Sequence, residues 1–251
     1  MAPYSARVSA QGQASVLPPG GLRPGQLGVV LLGRVIVGDV AATLVDLAGR
    51  EVVRVAEDHE SGAWLLGSSP AAARHGRERL VGSEPDRLLG HEKALLSGLA
   101  ADRLVGIEEL ARTYGKAMAR ARAALIRDAV RRGWLRRMGR DQRPRQAEEL
   151  ALRIRSFQRE LRRLRSEQGE SAFNGRLLPF ALHFGLVHSG ELPLARFGRG
   201  CVRALAELPG WGHTGVQRRR FDGVPSARRS IDEDIMQHRD ELWVMSVTGG
   251  W

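Results

Sequence analysis

Residues 36–66 read IVGDVAATLVDLAGREVVRVAEDHESGAWLL, and the reading of this stretch decides the fold. Val40, Leu44 and Leu47 recur at helical spacing, Asp39 stands where an N-cap belongs, and Gly49 closes the pattern. That combination predicts a helix. VVRVAE then alternates in period two, DHESG is a turn cluster and AWLL is a short apolar run, which together predict a hairpin. Just upstream, LRPGQLGVVLLG puts Pro24 in a first helical turn and Gly33 at a helix stop. Helix, helix, hairpin is the order of a small winged-helix unit, a helix-turn-helix with a β wing.

The same order recurs downstream. HEKALLSGLA reads as a helix, GIEELARTYG as a second short one, GKAMARARAALIRDAVRRG as a long third, and WLRRM as a strand entering a basic turn. Residues 142–211 read as helical. There Leu150, Ile154, Phe157, Leu161 and Leu164 form a narrow seam of barely two heptads. A coiled coil needs three or four, so packing on its own domain is the expectation. Residues 177–186 and 192–208 predict two more helices, and 242–247 a strand.

The predicted class is therefore α+β, mostly helical: tandem winged-helix-like units followed by a helical C-terminal part. The expected divisions are a flexible lead-in at 1–21, a first unit at 22–67, a linker at 68–88 and a second unit at 89–141. The helical segment at 142–211 and a tail of uncertain structure at 212–251 complete the chain.

Charge is distributed unevenly over these parts. The 251 residues carry 39 Lys/Arg against 28 Asp/Glu, a net charge of +11. Residues 103–165 hold 19 Lys/Arg against 7 Asp/Glu, while the remainder is nearly balanced at 20 against 21. The excess thus lies in the second unit and the helix after it, a field that favours polyanions. At about 100° per residue, Lys116, Arg120, Arg127 and Arg131 fall on one face of the third helix. Met118, Ala121, Leu125, Ile126 and Ala129 take the other side, with Arg122 projecting among them. Arg136 and Arg137 extend the basic set into the wing. By contrast, the helix of the first unit carries Asp39 and Asp46 and no cation between Val37 and Ala48, which fits a structural or protein-binding role.

Several chemistries are set aside. Cys201 is the only cysteine, which excludes an internal disulfide and a Cys-based zinc cage. Arg199 and Arg203 flank it and would lower its thiol pKa, yet a small core residue is the expectation. His183 and His188 lie five residues apart, roughly 140° around a helix, unsuited to one metal ion. The Asp232–Asp234 triplet reads as a solvated loop or a partner for Arg218, Arg219 and Arg220. Trp211, Trp243 and Trp251 read as packing. No Gly-Lys-Ser/Thr loop follows Gly28 or Gly33, and no nucleophile–base pair can be assembled. No catalytic residue, metal or cofactor is expected. The longest apolar stretch, 177–190, is interrupted by Pro179, His183 and His188 and is short of the roughly 20 residues of a span. The expectation is a cytoplasmic location with no integral membrane segment, leaving peripheral membrane association open.

The chain resembles the cytoplasmic part of the YciQ-like predicted membrane proteins, the family of domain of unknown function 2207. The matching stretches are GLRPGQLGVVLLGRVIVGDVAATLVDLAGREVVRV, LLGHEKALLSGLA, ARARAALIRDAVRRGWLRR, QAEELALRIRSFQREL, LLPFALHFGLV and the PGW at Pro209 to Trp211. They cover roughly residues 20–211 in order. The resemblance implies tandem winged-helix-like units followed by a helical segment, on the cytoplasmic side of a membrane. This chain carries none of the spanning helices of full-length members, so it reads as a detached soluble version. AGREVVRV also replaces the family's turn of a glycine and an aromatic residue before the strand. The family supplies no catalytic residues to carry over.

The functional expectation is a non-enzymatic interaction or regulatory protein that meets a partner through Lys116, Arg120, Arg127, Arg131, Arg136 and Arg137. A DNA-binding winged-helix regulator is the second reading, and an enzyme or accessory protein of a biosynthetic pathway the third. The partner, a protein or DNA, stays open, as does the oligomeric state.

Overall fold

The computed structural model describes residues 16–58, 60, 63–69, 87–99, 103–106, 114–135, 144–173, 175–188 and 192–206. Over these the chain is mostly helical, with one small antiparallel sheet. A 3-10 turn at Pro24–Gln26 feeds α1, Leu27–Leu32, which stops at Gly33 in the left-handed region (φ 71). Then come α2, Val37–Gly49, and the strands β1, Val53–Glu57, and β2, Trp64–Ser68. Downstream lie α3, Gly90–Leu96, β3, Val105–Gly106, α4, Gly115–Arg131, and α5, Arg145–Gln168. Short α6, Leu178–His183, and α7, Pro193–Ala206, follow.

α2 is the hub. Ten of its thirteen residues are buried, the mark of a helix covered on all sides rather than on one stripe. It packs against α6, α7 and the 3-10 turn at Pro24–Gln26. Its start differs from the sequence expectation: Asp39 is not the N-cap but the third helical residue, and its Oδ2 accepts the Ile36 amide at 2.9 Å. This is half of a capping box. Gln26 and Glu92 do the same for the amides of Arg23 and Leu89.

The end of α2 at Gly49 is as expected, although the glycine does not build the cap. The helix reaches Gly49, but the residue that turns left-handed is Glu51 (φ 59). The Val52 amide bonds the Leu47 carbonyl and the Glu51 amide that of Ala48, the paired bonds of a Schellman cap. That cap aims the chain into β1.

β1 and β2 form the expected hairpin, with Val55 opposite Leu66. β3 adds to β2 with Leu65 opposite Gly106 and Leu66 opposite Val105. The sheet order β1-β2-β3 therefore joins strands from both sides of residues 68–88. The buried apolar cluster is likewise continuous, running from Leu22 and Leu27 through Leu66, Met118 and Ile154 to Leu205. Trp64 of β2 packs edge-on against Phe197 of α7, ring centroids 5.7 Å apart. The seam of α5 also faces inward: Ile154, Phe157 and Leu161 are buried, and Phe157 meets Phe180 and Phe184 edge-on. This chain itself covers the stripe.

Trp134 and Leu135 lie in a bend capped by Gly133 (φ 71), not in the expected strand. The helix expected over GIEELARTYG lies largely outside the described residues, as do the rest of WLRRM and the tail from residue 207.

Candidate interaction surface

α4 is amphipathic in the sense the spacing predicts. Met118, Ala121, Leu125 and Ala129 are buried and Ile126 is half-buried, while Lys116, Arg120, Arg127 and Arg131 are exposed. The inner side packs on α3, where Gly98 lets the Tyr114 ring come close and the Tyr114 hydroxyl donates to the Leu95 carbonyl. Arg122 is half-buried, as its projection toward the apolar side implies. Arg136 and Arg137 lie outside the described residues.

The four cations differ in their surroundings. Arg131 donates to Asp128 Oδ1 at 2.7 Å and Arg132 to Asp128 Oδ2 at 3.0 Å. Partial burial alone would raise the Asp128 carboxyl, but these two guanidiniums outweigh it and hold it below its ordinary value. Arg132 also lies over the Trp134 ring, 5.1 Å from its centroid. Among the described residues, Lys116, Arg120 and Arg127 have no carboxylate partner. The uncompensated charge therefore sits ahead of Asp128 on α4.

Asp128 leads inward to a polar network that the sequence reading missed. Its Oδ2 accepts Gln26 Nε2 at 2.9 Å, tying α4 to the turn ahead of α1. Beyond Gln26, Arg50 Nη1 bridges Asp46 Oδ2 at 3.0 Å and Glu92 Oε1 at 2.9 Å. Arg23 approaches the same two carboxylates at 3.9 and 3.8 Å. Burial raises the Asp46 carboxyl against the pull of Arg50; burial would lower Arg50, but Glu92 and Asp46 hold it above its ordinary value. His91 lies beside this network, 2% exposed, with Nε2 unbonded. Burial pushes its pKa down to about 4, so it is neutral at pH 7.

A second buried pair anchors α2. Asp39 Oδ1 accepts the Gly28 amide at 2.8 Å and lies 3.4 Å from His183 Nδ1. Burial pushes Asp39 up to about 8 in spite of its two amide bonds, and pushes His183 down to about 4. Near neutral pH the two groups thus hold one proton between them and no net charge. The sequence signal was an aspartate in an otherwise apolar helix; its partners lie 11 residues before it and on α6.

His183 is buried and His188 exposed, so the two histidines do not meet. Among the described residues, no three His, Cys, Asp or Glu side chains are placed to hold a metal. Cys201 is fully buried, and burial pushes its thiol well up, the opposite of activation by Arg199 and Arg203. Among the described residues, no helix is long and apolar enough to cross a membrane. Comparison with family models, curated proteins and solved structures returns no match.

Proposed function

We propose that this protein is a non-enzymatic, cytoplasmic interaction protein that docks an anionic partner on the exposed face of α4. The observation that carries this reading is the row of Lys116, Arg120 and Arg127, exposed and without carboxylate partners among the described residues. Several other cations are matched: Arg50 with two carboxylates, Arg131 and Arg132 with Asp128, Arg163 with Glu160 and Glu167. Unmatched cations gathered on one helix raise the local concentration of polyanions and set partner orientation. In this reading the chain is a relative of the YciQ-like family with tandem winged-helix-like units. The rigid buried network behind α4 holds its face in place.

Duplex DNA is the second reading. It is favoured by the length and exposed cationic face of α4, since a long helix with such a face can enter a major groove. Binding of the full chain to random duplex DNA and to polyglutamate at several salt concentrations tests both readings. Affinity for at least one polyanion falls steeply with salt, and Arg120→Ala with Arg127→Ala makes the slope shallower by about 2. Preference for duplex DNA selects the second reading. No binding to either probe at low salt overturns both.

A further inference from the structure

We propose that the C-terminal half of α5 carries a separate docking site for a phosphoryl group. The site is an open groove of about 340 Å³ lined by Arg162, Arg165, Ser166 and Leu186. Two arginines, a serine and one apolar side chain line it, residue types whose donors suit a tetrahedral oxyanion. A guanidinium presents parallel N–H donors in a fixed fork that matches two oxygens of one phosphate.

The distribution of carboxylates on α5 supports this assignment. Glu160 and Glu167 both bond Arg163, and Glu149 bonds Arg145, all on one flank of the helix. Arg155, Arg159 and Arg162 lie on the other flank, three or four residues apart, with no carboxylate partner among the described residues, and the carboxylate that shares this flank, Glu148, is two turns before Arg155. Arg155 Nε is buried and unbonded. Only Arg165 shares a carboxylate there, that of Glu170 at 3.8 Å. Glu170 Oε1 also accepts the His188 amide at 2.7 Å, which ties this carboxylate to the opposite wall.

The opposite wall is fixed in place. The Glu170 bond to the His188 amide and the Arg199 bond to the His188 carbonyl, at 2.6 Å, pin the chain that carries Leu186 beside α5. The Leu186 amide itself bonds the Ala181 carbonyl in the cap after α6, turned by Gly185 (φ 64). The groove is therefore preformed, which limits the ordering cost of taking up a ligand. A phosphate ester, whether on a small metabolite or a lipid headgroup, is the ligand chemistry; Leu186 would meet its carbon portion.

The test is titration of the full chain with inorganic pyrophosphate at low ionic strength. A second arm measures recruitment to phosphatidylcholine vesicles with and without phosphatidic acid. The expected result is saturable binding in at least one arm. Arg162→Gln and Arg165→Gln each weaken it at least tenfold, while both variants still unfold cooperatively, since Gln keeps a polar side chain at these half-buried positions. Arg120→Ala with Arg127→Ala changes it less than twofold, which separates this site from the face of α4. Binding of pyrophosphate alone identifies a free phosphorylated ligand, and recruitment that depends on phosphatidic acid identifies a headgroup. Absence of saturable binding in both arms overturns the proposal. So does equal loss in the α4 variant, which would reduce the effect to diffuse charge.

Discussion

The Asp39 carboxyl occupies the space that a side chain at Gly28 would need: a Cβ on residue 28 would overlap both of its oxygens. The same absence of a side chain lets the Gly28 amide reach Asp39 Oδ1 at 2.8 Å, joining α1 to α2. Gly28→Ala therefore forces apart two buried helices and strips an amide of its partner. Overpacking costs about 1–3 kcal/mol, and an unsatisfied buried donor about as much again. The expected outcome is a loss of about 3 kcal/mol or more in urea unfolding, or failure to accumulate folded protein. A change below about 1 kcal/mol would show that α1 slides to accommodate the methyl.

The cap of α2 offers the opposite case. Glu51 adopts φ 59 without being a glycine, and it is exposed, so its side chain gives little packing in return. A side chain in the left-handed region costs about 1–2 kcal/mol. Glu51→Gly removes that strain at the price of a more flexible unfolded chain. The net expectation is a stabilisation of about 1 kcal/mol, read as a higher Tm. A lower Tm would mean that the Glu51 carboxylate makes a contribution that outweighs the backbone strain.

These two positions also show what the sequence could and could not convey. The helix at 37–49 and the strands at 53–57 and 64–68 were legible because their signals are local: Val40, Leu44 and Leu47 in helical period, Val53 and Val55 in alternation. The role of Asp39 was not, because its deciding partner, Gly28, comes from another helix. Nor was the pairing of β3 with β2, which spans nearly forty residues of chain. The face of α4 was readable from helical geometry alone, and Asp128 stands only three residues before Arg131. The link from Asp128 to Gln26, 102 residues apart, has no sequence signature. The groove beside α5 was hidden for the same reason, since Leu186 reaches it through tertiary packing.

His91 makes stability fall in mild acid. Its pKa is about 6.5 in the unfolded chain and about 4 in the folded one, because burial outweighs the attraction of Asp128 and Asp46, while Arg23 and Arg50 oppose protonation. Between those values the unfolded state binds a proton that the folded state does not. The stability contributed is therefore full above pH 6.5 and is lost as pH falls toward 4, by about 3 kcal/mol. The Asp39–His183 pair adds little over that window, since it holds one proton folded and His183 holds one unfolded. Thermal unfolding at pH 6.5 and 4.5 checks this. The wild-type Tm drops, and His91→Asn drops distinctly less; equal drops would place the acid sensitivity elsewhere.

Asp128 limits the charge that α4 offers outward. It engages Arg131 and Arg132 at 2.7 and 3.0 Å while its other contact, Gln26, faces the interior. Asp128→Asn keeps an acceptor for Gln26 and removes the charge that holds the two guanidiniums. If α4 meets a polyanion, the freed cations join Lys116, Arg120 and Arg127, and each added phosphate contact steepens the salt dependence by about 0.9. The variant should bind duplex DNA or polyglutamate more tightly at low salt, with a slope larger by about 1–2 than the wild type. Arg131→Ala placed on top of Asp128→Asn returns part of that gain. A slope unchanged by Asp128→Asn in a protein that still loses binding with Arg120→Ala and Arg127→Ala would confine the contact to the part of the helix before Asp128.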